Sequence, residues 1–183
     1  MPKYLKNIRH IVERHEVERM MALTLDKRNR SLIACLYLTG ARPCEVTAIR
    51  GRDLNLEIPL SPGYFALTIP TAKLAMTTDF IIPERTLEIP YNAPFADDFL
   101  EYAAGYPEAA RLYGISPQMV KKIVYKASED KLCPYHFRHS RLTKLSREGA
   151  SVDQLMAWKG SRDTRSVGAY LASKPINQHF KLE

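Results

Sequence analysis

The sequence predicts a mainly helical α+β domain with one core and a small antiparallel β-sheet set among the helices. Three observations carry that expectation. Apolar residues recur at helical spacing over most of the chain, and only residues 54–90 switch to short β-prone runs broken by prolines. A chain of 183 residues fills one sizeable core and does not promise two. With 45% hydrophobic and 26% charged residues and no biased tract, the composition is globular. A single domain over residues 1–183 is expected, with 1–15 and 172–183 as peripheral arms.

Taken in order, Val17, Met20, Met21 and Leu25 mark a helix from Glu16 to Leu25. Ser31 to Leu38 is almost wholly apolar and predicts a central helix that stops at Thr39-Gly40. Pro43 suits the first turn of a new helix. The residue before a proline is driven to extended backbone, so Arg42 belongs at the corner where two helices meet. Prolines at 59, 62, 70, 83 and 90 then break up two β-prone runs, Tyr64 to Ile69 and Asp79 to Ile82. Their connection, Thr71 to Thr78, contains Lys73. Helical spacing returns in Phe95 to Ala104, in a helix opened by Ser116-Pro117 and running towards Ser128, and in Pro134 to Arg147. Gly149 closes that helix, Val152, Leu155 and Met156 mark another, and Val167 with Leu171 the last.

The net charge of +7, with 27 Lys and Arg spread along the chain and a pI near 9.3, points to a polyanionic partner, most simply nucleic acid. Cys35, Cys44 and Cys133 are odd in number and set in apolar surroundings, which suits reduced thiols better than a disulfide or zinc site. His10, His15 and His179 lack metal-like spacing, so no metal and no cofactor is expected. The charged N-terminus and the absence of any membrane-length apolar run predict a soluble cytoplasmic protein.

Two residue types in the last third suit phosphodiester chemistry. Arg138, within Tyr135-His136-Phe137-Arg138-His139, offers a permanent cation with a planar fork of donors; Tyr170 offers an oxygen nucleophile. Each residue also has a plainer role. Arg42 suits an ion pair with Glu45, Lys73 a solvated turn, and Tyr170 the core. His136, His139, Arg141 and Lys144 suit a basic stripe that holds DNA phosphates without catalysis.

The order of elements and two long boxes resemble the catalytic domain of the tyrosine recombinases, the phage integrase family. LYLTGARPCEVTAIRGRDL resembles its first box, Thr-Gly-x-Arg with an acid three residues on, here Arg42 and Glu45. YHFRHSRLTKLSREGASVDQLMAWKGSRDTRSVGAY resembles its second, in register from Arg138 to Tyr170. The resemblance implies the integrase catalytic-domain fold and a catalytic set of Tyr170, Arg42, Arg138 and Lys73, joined by the positions of Tyr135 and Ser161. Two positions depart from the pattern: Tyr135 stands where the family has histidine, and Ser161 where it has histidine or tryptophan. Some archaeal and viral members are similar in carrying tyrosine at the first position. Trp158 and His139 are the candidates to replace the contact at the second. The family's separate DNA-binding domain ahead of the catalytic one has no counterpart in these residues, so a fragment or a partner-dependent minimal recombinase is expected. Family members act as tetramers joined by C-terminal segments, which implies a homo-oligomer on double-stranded DNA exchanging the tail LASKPINQHFKLE.

The chemistry implied is metal-free strand cleavage and rejoining through a 3′-phosphotyrosine. Guanidinium groups at Arg42 and Arg138 would stabilise charge building on the nonbridging oxygens, and Lys73 would protonate the leaving 5′ hydroxyl. Two rivals share the same residues: a type IB topoisomerase-like strand transferase, and a silent member that binds DNA as a regulator.

Overall fold

The structure is a computed structural model and describes residues 10–58, 61–71, 84–161 and 164–171. Its elements run α1 (Arg14–Leu23), α2 (Lys27–Thr39), α3 (Pro43–Val46), β1 (Leu54–Asn55), β2 (Tyr64–Pro70) and β3 (Glu84–Pro90). Helices α4 (Ala96–Ala103), α5 (Pro117–Ala127), α6 (Pro134–Arg147), α7 (Val152–Lys159) and α8 (Arg165–Leu171) complete the chain. The mainly helical α+β class holds.

Local chemistry sets the helix ends. Asp26 caps α2 by accepting from the Asn29 N–H at 2.8 Å, and Ser116 caps α5 by accepting from Met119 N–H at 3.2 Å, with Pro117 in the first turn. Arg42 takes the extended backbone expected before a proline, with φ −74° and ψ 153°. It therefore forms the corner between α2 and α3.

The sheet is antiparallel in the order β1-β2-β3, with Leu67 opposite Leu87 and Phe65 opposite Ile89. The strand that pairs with β2 is Glu84–Pro90; the expected run Asp79–Ile82 lies outside the described residues. Pairing wins here through strict alternation: Arg85, Leu87 and Ile89 are buried while Glu84, Thr86 and Glu88 face outward. Leu87 and Ile89 join Phe65, Leu67 and Ile69 in a core shared with Phe99 of α4 and with α2. Arg85 occupies the same buried face as these apolar side chains, and so enters the interior.

Residues 10–13 run along α6. Val12 is fully buried, its N–H donates to Ser140 Oγ at 2.7 Å, and its carbonyl accepts from Lys144 Nζ at 3.1 Å. The His10 ring meets His136 edge-on at 6.2 Å. Among the described residues, no helix is long and apolar enough to cross a membrane.

Candidate active site

The site is organised around one carboxylate. Glu45, on the single turn of α3, is completely buried. It accepts the Arg42 backbone N–H at 2.9 Å on Oε2, and its Oε1 pairs with the Arg42 guanidinium. Arg85 Nη2 donates to Oε2 at 2.9 Å, and Arg138 Nη1 lies 3.8 Å from the same oxygen. Burial alone would raise this carboxyl's pKa. Arg85, the Arg42 N–H and the Arg42 guanidinium outweigh it and hold the group below the usual carboxylate value. Three guanidinium groups thus share one carboxylate, leaving two positive charges in excess.

Arg138 is fixed by backbone as well. It donates to Gly40 O at 3.0 Å and to Lys159 O at 2.5 Å, so it ties the end of α2 to the end of α7. Burial and the cations Arg42 and Arg85 lower its pKa to about 10, which leaves it protonated at neutral pH. Gly40 makes this approach feasible. A Cβ there would stand 3.2 Å from Arg138 Cα and 3.1 Å from Arg141 Cβ, and its φ of 62° disfavours other residues.

Tyr170 sits on α8, half-buried. Its carbonyl accepts from Ser146 Oγ at 2.8 Å, and its ring packs 5.5 Å from His139 with Lys159 Nζ 5.4 Å from its centroid. Burial pushes the phenol pKa above its ordinary value, while Arg138 and Arg42 pull the other way. Tyr170, Arg138 and Arg42 therefore form one electrostatic neighbourhood, although the sequence separates the last from the first by most of the chain.

The other expected residues fall into distinct places. Tyr135 is 46% exposed on the first turn of α6. His136 is buried, and its Nδ1 accepts the Cys133 N–H at 2.9 Å. Lys144, besides its bond to Val12 O, lies 3.7 Å from Glu13 and over the Tyr37 ring. Arg141 stacks on Trp158 at 4.7 Å, and the Trp158 indole N–H donates to Thr39 O at 2.9 Å. That indole donor is committed to the end of α2. Ser161 follows Gly160 at the α7 C-terminus and lines a groove of about 920 Å³ between β3 and α7, together with Thr71, Arg85 and Trp158. Lys73 lies outside the described residues.

Arg85 is the residue that sequence reasoning missed. A signal was present: Arg85-Thr86-Leu87-Glu88-Ile89 alternates at period two and puts Arg85 in line with Leu87 and Ile89. Gly160 covers it, with φ 62° and an added Cβ 2.9 Å from Arg85 Nη1 and 3.0 Å from Thr71 Oγ1. Gly160→Ala is expected to destabilise the domain by about 1–2 kcal/mol through its left-handed backbone alone. Urea unfolding checks this, and an unchanged midpoint would contradict the fit around Gly160.

No protein-family model and no curated protein matches the sequence. The fold, however, is shared. The chain has the fold of the tyrosine recombinase catalytic domains. It superposes on the XerA recombinase with a TM-score of 0.64 at 15% identity, covering 93% of this chain and 61% of that one. For the XerH site-specific recombinase bound to difH substrate in a pre-cleavage complex, the TM-score is 0.65 at 16% identity, covering 86% and 48%. For the catalytic domain of bacteriophage HP1 integrase the values are 0.60 and 18%, covering 90% and 88%. The chain thus spans about half to three fifths of the two Xer proteins and nearly all of the HP1 catalytic domain.

Proposed function

We propose that the chain is the catalytic unit of a site-specific DNA recombinase or integrase, cutting and rejoining double-stranded DNA through Tyr170. The observation that carries this reading is the cluster of Arg42 and Arg138 on the Glu45 carboxylate, whose two cations both act on the half-buried Tyr170 phenol. A phosphodiester is an anion, and the cluster's excess positive charge suits one. The Tyr170 oxygen attacks phosphorus, the bond from phosphorus to the 5′ oxygen breaks, and the 3′ phosphate becomes a tyrosyl ester. Arg42 and Arg138 stabilise charge on the nonbridging oxygens, and Lys73 delivers the proton to the leaving 5′ hydroxyl. Attack by another 5′ hydroxyl reverses the step and rejoins strands.

Tyr135 and Ser161 are assigned to the rim of the phosphate site, and His139 and Arg141 to DNA contact. His136 and Lys144 belong to the same stripe, and they reach DNA only if their contacts with the first turn of α6 and with residues 12 and 13 yield. Residues 172–183 are assigned to exchange between protomers of a tetramer.

The test is a nicked suicide duplex carrying the target site, which traps the covalent stage because the short cleaved strand diffuses away. A protein–DNA adduct resistant to SDS, with the DNA on the peptide containing Tyr170, is the expected result. No adduct on a duplex that the protein demonstrably binds overturns the catalytic reading and leaves a DNA-binding regulator.

A further inference from the structure

We propose that Arg85 is a positioning residue of this active site: by holding one oxygen of Glu45 it keeps Arg138 from collapsing onto the carboxylate and preserves the positive charge that receives the phosphate. This rests on the catalytic reading above. Arg85 is only 8% exposed, yet Glu45 does not need it for satisfaction. The Arg42 guanidinium already pairs with Oε1 and the Arg42 backbone N–H already donates to Oε2. A third cation in the same pocket adds desolvation cost and mutual repulsion, and no second carboxylate among the described ion pairs offsets it. Moreover, Arg85 Nε has no hydrogen-bond partner among the described residues, and Nη1 reaches Thr71 Oγ1 only at 3.5 Å. An arrangement this costly in itself is explained when an anion completes it.

Geometry shows how the effect is transmitted. Arg85 Nη2 stands 2.9 Å from Glu45 Oε2, while Arg138 Nη1 stays at 3.8 Å, beyond hydrogen-bond range of the same oxygen. Without Arg85 that oxygen is open to Arg138, and a direct pair would draw the guanidinium from its bonds to Gly40 and Lys159. Arg85 also lies at the base of the β2–β3 connection, beside Thr71 and under Gly160. It joins the strand pair, the end of α7 and the carboxylate.

The experiment compares single-turnover adduct formation on the nicked suicide duplex, at saturating DNA, for wild type, Arg85→Met, Arg85→Gln and Arg85→Lys. Displacement of a catalytic group by about an ångström costs on the order of 100-fold. Arg85→Met and Arg85→Gln are therefore expected to cleave roughly 10- to 100-fold more slowly with duplex affinity unchanged, and Arg85→Lys to regain most of the rate. Adding Glu45→Gln to Arg85→Gln is expected to slow cleavage by less than Glu45→Gln does in the wild-type background, because part of that carboxylate's effect is exerted through Arg85. If Arg85→Met does not fold, Arg85→Gln, a polar side chain whose amide ends two bonds short of the Nη2 that holds Glu45, decides. Arg85→Gln cleaving at the wild-type rate overturns the proposal while leaving the catalytic reading intact. So does an equal loss in Arg85→Gln and Arg85→Lys accompanied by lost duplex binding, which marks a structural role. Absence of any wild-type adduct on bound duplex overturns both.

Discussion

Tyr170→Phe is expected to form no covalent adduct with a nicked suicide duplex that it still binds. On the proposed function, the substitution removes the oxygen that would attack phosphorus. The ring contacts with His139 and Lys159 and the bond from Ser146 to the backbone carbonyl are all retained. Folding and duplex affinity are therefore expected to stay close to wild type, and only the chemical step disappears. Gel electrophoresis after SDS treatment reads the adduct, and a mobility shift reads the binding. An adduct persisting in Tyr170→Phe would assign the nucleophile elsewhere. In that case the convergence of arginines on this tyrosine would need another account.

Glu45→Ala is expected to damage the domain more broadly. Removing one partner of a buried ion pair typically costs about 3–5 kcal/mol, because the remaining charge is left without compensation. Here three guanidinium groups lose their common counter-ion at once, and Arg42 also loses the acceptor for its backbone N–H. Denaturant unfolding should show a large drop in stability, with cleavage falling below detection. A variant as stable as wild type would contradict the central place given to this carboxylate. The same group sets a pH dependence. Its folded pKa lies below the ordinary 4.5, so the unfolded chain binds more protons as the medium becomes acidic. The contribution of Glu45 is complete above about pH 4.5 and is lost as pH falls through the folded value.

Much of this arrangement was legible in the residues. Pro43 fixed the backbone of Arg42, and helical spacing placed Arg138 and Tyr170 on separate helices. The plain alternative for Arg42, an ion pair with Glu45, is present, and it is buried rather than superficial. The pairing and the buried arginine cluster are thus one arrangement, which local sequence cannot reveal because burial is decided by distant elements. For Arg85 the alternation with Leu87 and Ile89 was a signal, but its charge argued against burial. A charged residue between Glu84 and Thr86 reads as solvent-facing until the register opposite Ile69 is known. The committed indole donor of Trp158 likewise depends on its meeting Thr39, remote in sequence.

The passage of residues 10–13 along α6 has a mechanical consequence. Contacts to His136, Ser140 and Lys144 grip that helix at successive turns from one side, while Arg138 projects from the same helix into the site. His10 is also paired with Glu16 of α1 at 2.9 Å, so the same four residues touch two helices at once. This short strap thus staples α1 to the flank of the helix that carries Arg138.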